Sequence, residues 1–289
     1  MKGSHAPSLR TRVRDLLVRE LRLPAGTHVL AACSGGPDSS AMLHVLASLR
    51  GEARFVLSAH GVDHGLREEA ARELELAAEL ARSLDVPFST TTLAVAAGSN
   101  LQARARSARY AALREAARAA GANLVATAHT ADDRAETVLM RILRGAGPRG
   151  LAVLPPLSGD LLRPLIRASR ADVEKHLARN RIESATDPTN LDARYLRVRV
   201  RREVMPLLAS MSPGVVASLT GLADALAAWP ADDPLSGLGR RQRETALRAL
   251  AAGKRSVRIR TAEHEEVLVE PSVSGPVVTE VEAQPPRRR

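Results

Sequence analysis

The stretch most able to do chemistry is Ser34-Gly35-Gly36-Pro37-Asp38-Ser39-Ser40, which joins an apolar run to a helical pattern. A strand, a Gly-rich turn and a helix start make an anion site. Backbone N–H groups converge there and the helix dipole adds to the attraction. Gly35 and Gly36 let a phosphate come close to the backbone, and Ser34 and Ser39 can donate hydroxyl bonds. Asp38 repels phosphate unless it holds a cation such as Mg2+ or orders the loop. The same residues also read as a tight turn with Asp38 or Ser39 as helix N-cap. The Gly-Lys-Ser/Thr ending of a Walker A loop is missing.

A second cluster is Ala128-His129-Thr130-Ala131-Asp132-Asp133-Arg134-Ala135-Glu136-Thr137. Asp133 and Glu136 are three apart at a helix start, so both carboxylates can face one cleft and hold an ammonium or Mg2+. His129, at a strand end, can assist proton transfer. Thr130-x-x-Asp133 is also a capping box, which alone accounts for that aspartate. Arg104, Arg106 and Arg109 fall on overlapping faces of one helix. They suit phosphate contact or developing negative charge, and they read equally as a solvated face.

These residues need elements to position them. A helix is expected over 9–21. Strands at His28–Cys33, Arg54–His60, Pro87–Leu93, Asn123–His129 and Leu161–Ile166 alternate with helices over 39–49, 68–84, 100–119, 131–143 and 169–180. That alternation predicts an α/β fold, an open parallel sheet of about five strands with helices on both faces. In such sheets ligands sit beyond the carboxyl ends of the strands, where strand order reverses. Both clusters follow strands. Helical patterns return at 197–208, 215–228 and Arg240–Ala251, and a small hairpin is expected around Val257–Ile259 and Val267–Val269.

Composition narrows the function. The chain has 289 residues and a formal charge of +10, with only 2% aromatics, so its core must be aliphatic. A pI near 11.0 points to a polyanionic partner, nucleic acid or an acidic membrane surface. All the cationic residues except Lys2, Lys175 and Lys254 are arginine, whose planar fork suits phosphate. One cysteine, Cys33, excludes a disulfide scaffold and any cysteine-built zinc or iron–sulfur site within one chain. No apolar run reaches the roughly 18 residues of a membrane span. Leu16-Leu17-Val18, between Asp15 and Arg19, is no signal-peptide core. The expectation is a cytoplasmic protein with no membrane association.

The loop at 34–39 resembles the pyrophosphate loop of the N-type ATP pyrophosphatases, the PP-loop superfamily. Further motifs follow in order: Val62-Asp63-His64-Gly65-Leu66-Arg67, Asn100 to Tyr110, Ala128 to Thr137, Arg144-Gly-Ala-Gly-Pro-Arg-Gly-Leu151 and Leu162-Arg163-Pro164-Leu165. Together they resemble the tRNA(Ile)-lysidine synthetases, over residues 28–208. The resemblance implies a Rossmann-like PP-loop ATPase fold and a two-step reaction. ATP adenylates the wobble cytidine of an isoleucine tRNA with a CAU anticodon. The side-chain amine of L-lysine then displaces AMP. It also implies roles. Ser34, Gly35, Gly36, Pro37, Asp38 and Ser39 would bind ATP, and Asp38 the Mg2+. Asp38, Arg106, His129, Asp133 and Glu136 would be catalytic. His64, Arg109, Asp133, Glu136, Arg197 and Arg199 would bind substrate.

The segment Asp187 to Arg201 matches its family counterpart only in part, because Val198 stands where asparagine is usual. The region beyond Pro213 is shorter than the C-terminal tRNA-binding region of longer family members. The expected organisation is a catalytic domain over 1–212, a small, mainly helical basic region over 213–270 that assists tRNA binding, and a disordered Pro-rich tail over 271–289. A homodimer is compatible with this reading. Two other functions compete: a sulfur-transferring tRNA-modifying enzyme, disfavoured by the lone cysteine, and a relative that binds nucleotide or RNA without reacting.

Overall fold

The computed structural model describes residues 7–63, 69–93, 101–185, 196–228, 235, 238–260, 266–272 and 275–280. The chain divides into two compact units. The first comprises Met1–Arg134 with Leu154–Val198, the second Ala135–Val153 with Arg199–Arg289.

The first unit opens with helix α1 (Leu9–Arg14), capped by Ser8 and continued by a π-helical turn, Asp15–Glu20. Strand β1 (His28–Ala32) leads through the glycine loop into α2 (Pro37–Leu49). Then come β2 (Val56–Asp63), α3 (Glu69–Ser83), β3 (Phe88–Thr92), α4 (Leu101–Ala120) and β4 (Leu124–Ala126). Helix α5 (Ala131–Leu143) follows, and helix α6 (Pro148–Leu151) belongs to the second unit. Two short strands, β5 (Leu157–Ser158) and β6 (Leu161–Leu162), precede α7 (Arg170–Asn180). Ser169 and Asp172 close a capping box on α7. Leu196–Arg199 forms α8.

The sheet order is β3-β2-β1-β4-β6-β5. Every pair is parallel except β5 with β6. Alternation along β1 explains the layers. Val29, Ala31 and Cys33 join a core built with α1, α2, α3 and α7, while Leu30 and Ala32 face Leu113 and Ala117 of α4. A strand buried on both faces reads as a continuous apolar run, as β1 does. The chain builds outward from β1 to β2 and β3, then returns to β4 on the other side of β1. The carboxyl ends of β1 and β4 therefore flank the switch point of the sheet.

Three expectations shift. The expected strand at Asn123–His129 ends at Ala126, and that at Leu161–Ile166 ends at Leu162. Pro164 has no N–H to continue the ladder, and the Ile166 N–H instead closes a turn on Arg163 O. A sixth strand, β5, folds back antiparallel on β6.

In the second unit a π-helical turn, Val200–Val204, runs into α9 (Met205–Met211), followed by α10 (Val215–Ala227) and α11 (Arg240–Ala251). Ala135, Val200 and Met205 form one small core, joined by Leu139 and Leu219. The expected hairpin is present, as β7 (Val257–Arg260) paired with β8 (Glu266–Ser272). Within the Pro-rich run expected to be disordered, Gly275–Glu280 forms a further strand, β9, antiparallel to β8. No single helix among the described residues is long and apolar enough to cross a membrane.

Candidate active site

The glycine loop is held from two sides. Gly35 has φ +82°, the left-handed region, and a Cβ there would collide with the backbone of Glu73. Its carbonyl accepts the Ala185 N–H at 2.9 Å. Ser39 is buried, and its hydroxyl braces the turn: Oγ donates to Gly36 O at 2.9 Å and accepts the Ser34 N–H at 3.2 Å. The N-cap of α2 is Gly36, with Pro37 in the first turn and no side-chain cap. The capping alternative for Asp38 and Ser39 is thus not what these residues do. The first-turn N–H groups of a 13-residue helix are aimed beyond the end of β1. Asp38 lies in that first turn with its Oδ1 buried.

These residues suit a triphosphate with its metal. Among the described residues no group of three or more His, Cys, Asp and Glu side chains could hold a metal ion. Mg2+ carried by phosphates needs only one or two protein carboxylates, and Asp38 is the carboxylate present in this turn.

Beside the loop, the end of β4 carries His129. The Thr127 N–H donates to Leu162 O at 2.9 Å, fixing the segment after the strand. Thr127 Oγ1 lies 3.0 Å from His129 Nδ1, which leaves Nε2 for proton work. Burial first, then the charges of Arg106, Arg163 and Arg197, push the His129 pKa down to about 4, against the opposing pull of Asp133. The imidazole is therefore neutral at physiological pH and can accept a proton.

Asp133 does two things at once. Its Oδ2 accepts from the Thr130 N–H at 3.0 Å and the Thr130 hydroxyl at 3.2 Å, while Thr130 Oγ1 accepts the Asp133 N–H at 3.3 Å. The capping box is real. Its Oδ1 faces Arg197 at 3.2 Å and Arg170 at 3.6 Å. Burial works to raise this carboxyl. The Thr130 N–H, Arg197, His129 and Arg170 outweigh it and hold the pKa below the usual value. Arg170 is placed by stitching between helix starts: the Ala131 N–H donates to Ala168 O, and the Arg170 N–H to Asp132 Oδ2, both at 2.8 Å.

The arginines of α4 separate. Arg106 sits 5.1 Å above the Tyr110 ring and donates to its hydroxyl at 3.3 Å. Arg109 is half-buried, and burial pulls its guanidinium down from the ordinary range. Arg104 is exposed. At the end of β6 Arg163 is buried, donates Nη1 to Pro155 O at 2.8 Å, and has its pKa lowered chiefly by burial.

In the second unit, Glu136 is 1% exposed and takes a two-pronged bond from Arg201, Nε to Oε1 at 2.7 Å and Nη2 to Oε2 at 3.1 Å. Arg199 pairs instead with Glu203, 3.3 Å away on its own helix, with both side chains largely exposed.

The structure thus brings together His129, Asp133 and Arg197, with Arg106 within electrostatic reach of the histidine. It does not give Arg199 a buried partner. His64 lies outside the described residues, as do Asp187 to Tyr195. Sequence reasoning assigned no role to Arg163 or Arg170, and it favoured Arg199 over Arg201. Spacing could have found Arg201, since residues four apart share a helix face with Arg197 and residues two apart do not. Arg170 follows the capping serine of a helix that starts after a sheet strand, which was a readable signal.

A parallel sheet with a glycine loop and an uncapped helix start at its switch point defines a PP-loop nucleotide-binding domain, and residues 8–208 match the PP-loop domain family. The chain is 40% identical over 260 residues to a tRNA(Ile)-lysidine synthase of Thermobifida fusca, covering 86% of this chain and 79% of that protein. It is 41% identical over 225 residues to one of Symbiobacterium thermophilum, covering 74% and 47%, and 44% identical over 193 residues to one of Pseudomonas aeruginosa, covering 65% and 43%. The chain belongs to the tRNA(Ile)-lysidine synthase family of PP-loop proteins. It spans about half the length of several curated relatives it matches. The fold is also that of a U34-tRNA thiolase, NcsA from Methanococcus maripaludis, solved with its [4Fe-4S] cluster. The TM-score is 0.65 at 20% identity, covering 79% of this chain and 83% of the other.

Proposed function

We propose that this protein uses ATP to join L-lysine to the wobble cytidine of an isoleucine tRNA with a CAU anticodon, in the cytoplasm. The observation that carries the reading is a neutral, half-buried His129 just after β4, next to the strand that delivers the PP-loop. Ligation by an amine requires a proton acceptor beside the activated carbon, and a neutral imidazole has a nitrogen lone pair to serve as one.

Each residue has a part. Ser34, Gly35, Gly36, Ser39 and the start of α2 hold the triphosphate, and Pro37 sets the helix entry. Asp38 holds Mg2+, which when bound offsets charge on the phosphates. Arg106 and Arg109 neutralise the phosphate charge that develops as pyrophosphate leaves. The carbonyl oxygen of the cytidine is adenylated as pyrophosphate leaves, the lysine amine attacks the carbon that bears this oxygen, the C–O bond breaks, and AMP departs with the oxygen. His129 Nε2 takes the proton the amine gives up. Asp133 and Glu136, one turn apart on α5, steer the lysine ammonium in, exchanging arginine for substrate. Arg197 binds tRNA phosphate as well as orienting Asp133. Unpaired anticodon bases can be splayed into a pocket and read on their edges.

Sulfur transfer finds no support in the residues. Cys33 is the lone cysteine, and burial pushes its thiol pKa up, away from the reactive thiolate. The deciding experiment is incorporation of labelled lysine into unmodified isoleucine tRNA, with ATP and Mg2+. The controls are the same tRNA with uridine at the wobble position, and methionine tRNA. Incorporation into the first alone is expected. AMP release with a different tRNA or amine would replace the substrate, and tRNA binding without turnover would make the chain a non-catalytic relative.

A further inference from the structure

Two helices of the first unit meet at the glycine loop. Helix α2 starts from it, and the segment leaving α7 returns to it. Arg181 caps α7 with φ +52°, the Ile182 N–H donates to Leu177 O at 3.0 Å, and the Ala185 N–H donates to Gly35 O at 2.9 Å. Both helices feed aliphatic side chains, Ala41 and Val45 from α2, Val173 and Leu177 from α7, into one core. A histidine pair also joins them: His176 Nε2 lies 3.0 Å from His44 Nδ1, with the rings edge to face and their centroids 5.0 Å apart. We propose that this pair is a proton-sensitive latch on the glycine loop. While both rings are neutral it keeps α7 and its outgoing segment behind Gly35; once charged it lets that segment go and weakens ATP binding. The inference rests on the loop holding ATP.

The hydrogen bonds fix which nitrogen carries the proton. Asn180 Nδ2 donates to His176 O at 2.7 Å and also lies 3.4 Å from His176 Nδ1. With an amide NH2 facing it, Nδ1 accepts, so the ring hydrogen sits on Nε2 and is donated to His44 Nδ1. A proton added to His44 Nδ1 sets two N–H groups against each other. A proton added to His176 Nδ1 does the same against Asn180. Charging both rings faces two cations across one gap.

The surroundings offer those cations no relief. The other charges of α2 are Asp38 at the loop and Arg50 at its far end. From α7, Arg179 presses on His176 as a like charge. Glu79 of α3 lines an open groove of about 360 Å3 with His44, as do Arg181 and Glu183 after α7. Neither carboxylate lies within ion-pair distance of either ring. Helix α1 packs on both helices, and its Arg10 and Arg12 are held by Glu52 and Asp172. Burial, then His44 and Arg179, bring His176 down to about 4, and burial lowers His44 as well. The groove at His44 gives water and protons a way in.

The loop has reason to feel the change. Gly35 is wedged between the Glu73 main chain on one side and the Ala185 N–H on the other. Local opening of the segment 182–185 removes one of these supports from a left-handed residue in the middle of the phosphate turn.

The sign is fixed by the depressed pKa: the latch is whole above about 6.5 and is lost as pH falls toward 4. Full-length wild type and H44N/H176Q, whose amides pair without titrating, would be compared at about pH 7.5 and about pH 5. Two quantities are read: hydrogen exchange of the Ala185 amide, corrected for intrinsic rate, and ATP affinity with Mg2+ by calorimetric titration. In wild type, opening at Ala185 should be favoured about thirtyfold more at the lower pH, the ratio for one histidine at about 4 latched and about 6.5 released, and ATP affinity should fall with it. H44N/H176Q should lack this response in both readouts. His129 titrates in both proteins, so the difference between them belongs to the pair. His176→Gln alone, the milder change, keeps an N–H toward His44 and should show a smaller fall. Ala185→Pro removes the tethering N–H but leaves the pair, so it should bind ATP more weakly already at the higher pH and lose the pH-dependent step. Equal pH dependence of Ala185 exchange in wild type and H44N/H176Q would overturn the latch, as would faster exchange in acid with no loss of ATP affinity. If ATP binds at neither pH, the reading of the glycine loop falls instead, and the exchange comparison still decides whether the pair holds the segment.

Discussion

The most exposed consequence of the site concerns His129. Its pKa of about 4 lies about 2.5 units below the ordinary histidine value, equivalent to about 3 kcal/mol between its two protonation states. At pH 7 this leaves about one imidazolium in a thousand, against about a quarter for an unperturbed histidine. Lysine incorporation measured by single turnover, with tRNA, ATP and lysine saturating, should therefore show no acid limb near pH 6.5. The limb belongs below about pH 5. Its position should respond to the neighbours with fixed signs. Arg197→Gln removes a cation that lowers the pKa, so the limb moves up. Asp133→Asn removes the anion that raises it, so the limb moves down. Linkage gives a second readout. The folded pKa is depressed, so the neutral imidazole's contribution to stability is complete above about 6.5 and is lost as pH falls toward 4. His129→Gln should flatten that decline in urea midpoints. A wild-type limb centred near 6.5, or one that neither variant moves, would refute the role assigned to His129.

Three further outcomes follow from other parts of the structure. Gly35→Ala forces a left-handed backbone and a collision with the Glu73 main chain, so ATP affinity should fall at least tenfold and stability by about 1–3 kcal/mol; calorimetric titration with ATP showing wild-type affinity would mean the loop does not bind phosphate. Arg201→Lys keeps the charge but loses the fork on buried Glu136, which should cost about 1–2 kcal/mol in thermal unfolding and raise the KM for L-lysine while sparing that for ATP; an equal rise in both would remove Glu136 from the lysine site. His44 and His176 face each other, Nδ1 to Nε2, at 3.0 Å between α2 and α7. Burial, then His44 and Arg179, bring His176 down to about 4, and burial lowers His44 as well. Both folded values are depressed, so stability is whole above about 6.5 and falls toward pH 4, and His176→Gln should make the fall shallower.

The sheet was legible because each strand is short, apolar and followed by a turn and a helical period, so β1 to β4, the three helices between them, and α5 and α7 after them stood close to where the pattern put them. Strand ends were less legible. Ala128 and His129 follow the apolar run of β4 directly in sequence, yet after the Thr127 N–H bond to Leu162 O they leave the sheet, and side-chain period says nothing about where hydrogen bonding stops. β9 was hidden by Pro271 and Pro276, which read as breakers. In the structure they sit opposite each other in the β8–β9 register: Pro276 is on the edge strand β9, and Pro271 lies on β8 past the stretch that pairs with β7, so a missing N–H is tolerated at both. The PP-loop residues were legible one by one because glycine and serine at a strand-to-helix turn have a physical reason to be there.

The arginines were not, and the reason is physical. A sequence gives their number but not which are buried. Arg106, Arg163 and Arg197 all press on His129, and only Asp133 opposes them. Arg163 is buried deeply enough to have its own pKa lowered. Buried cations in excess of their carboxylates are costly to a fold unless a counter-charge arrives. Arg163 is buried, Arg197 partly buried and Arg106 exposed, and the three gather at the carboxyl end of the sheet, where the loop and helix start invite a polyanion. The same charges that keep His129 neutral before substrate enters are those that a triphosphate and an RNA backbone would neutralise. On the function proposed above, arginine at this end of the sheet serves both the proton chemistry and the binding, whereas arginines of the first unit's surface such as Arg10 with Glu52 and Arg114 with Asp160 are taken up by carboxylates.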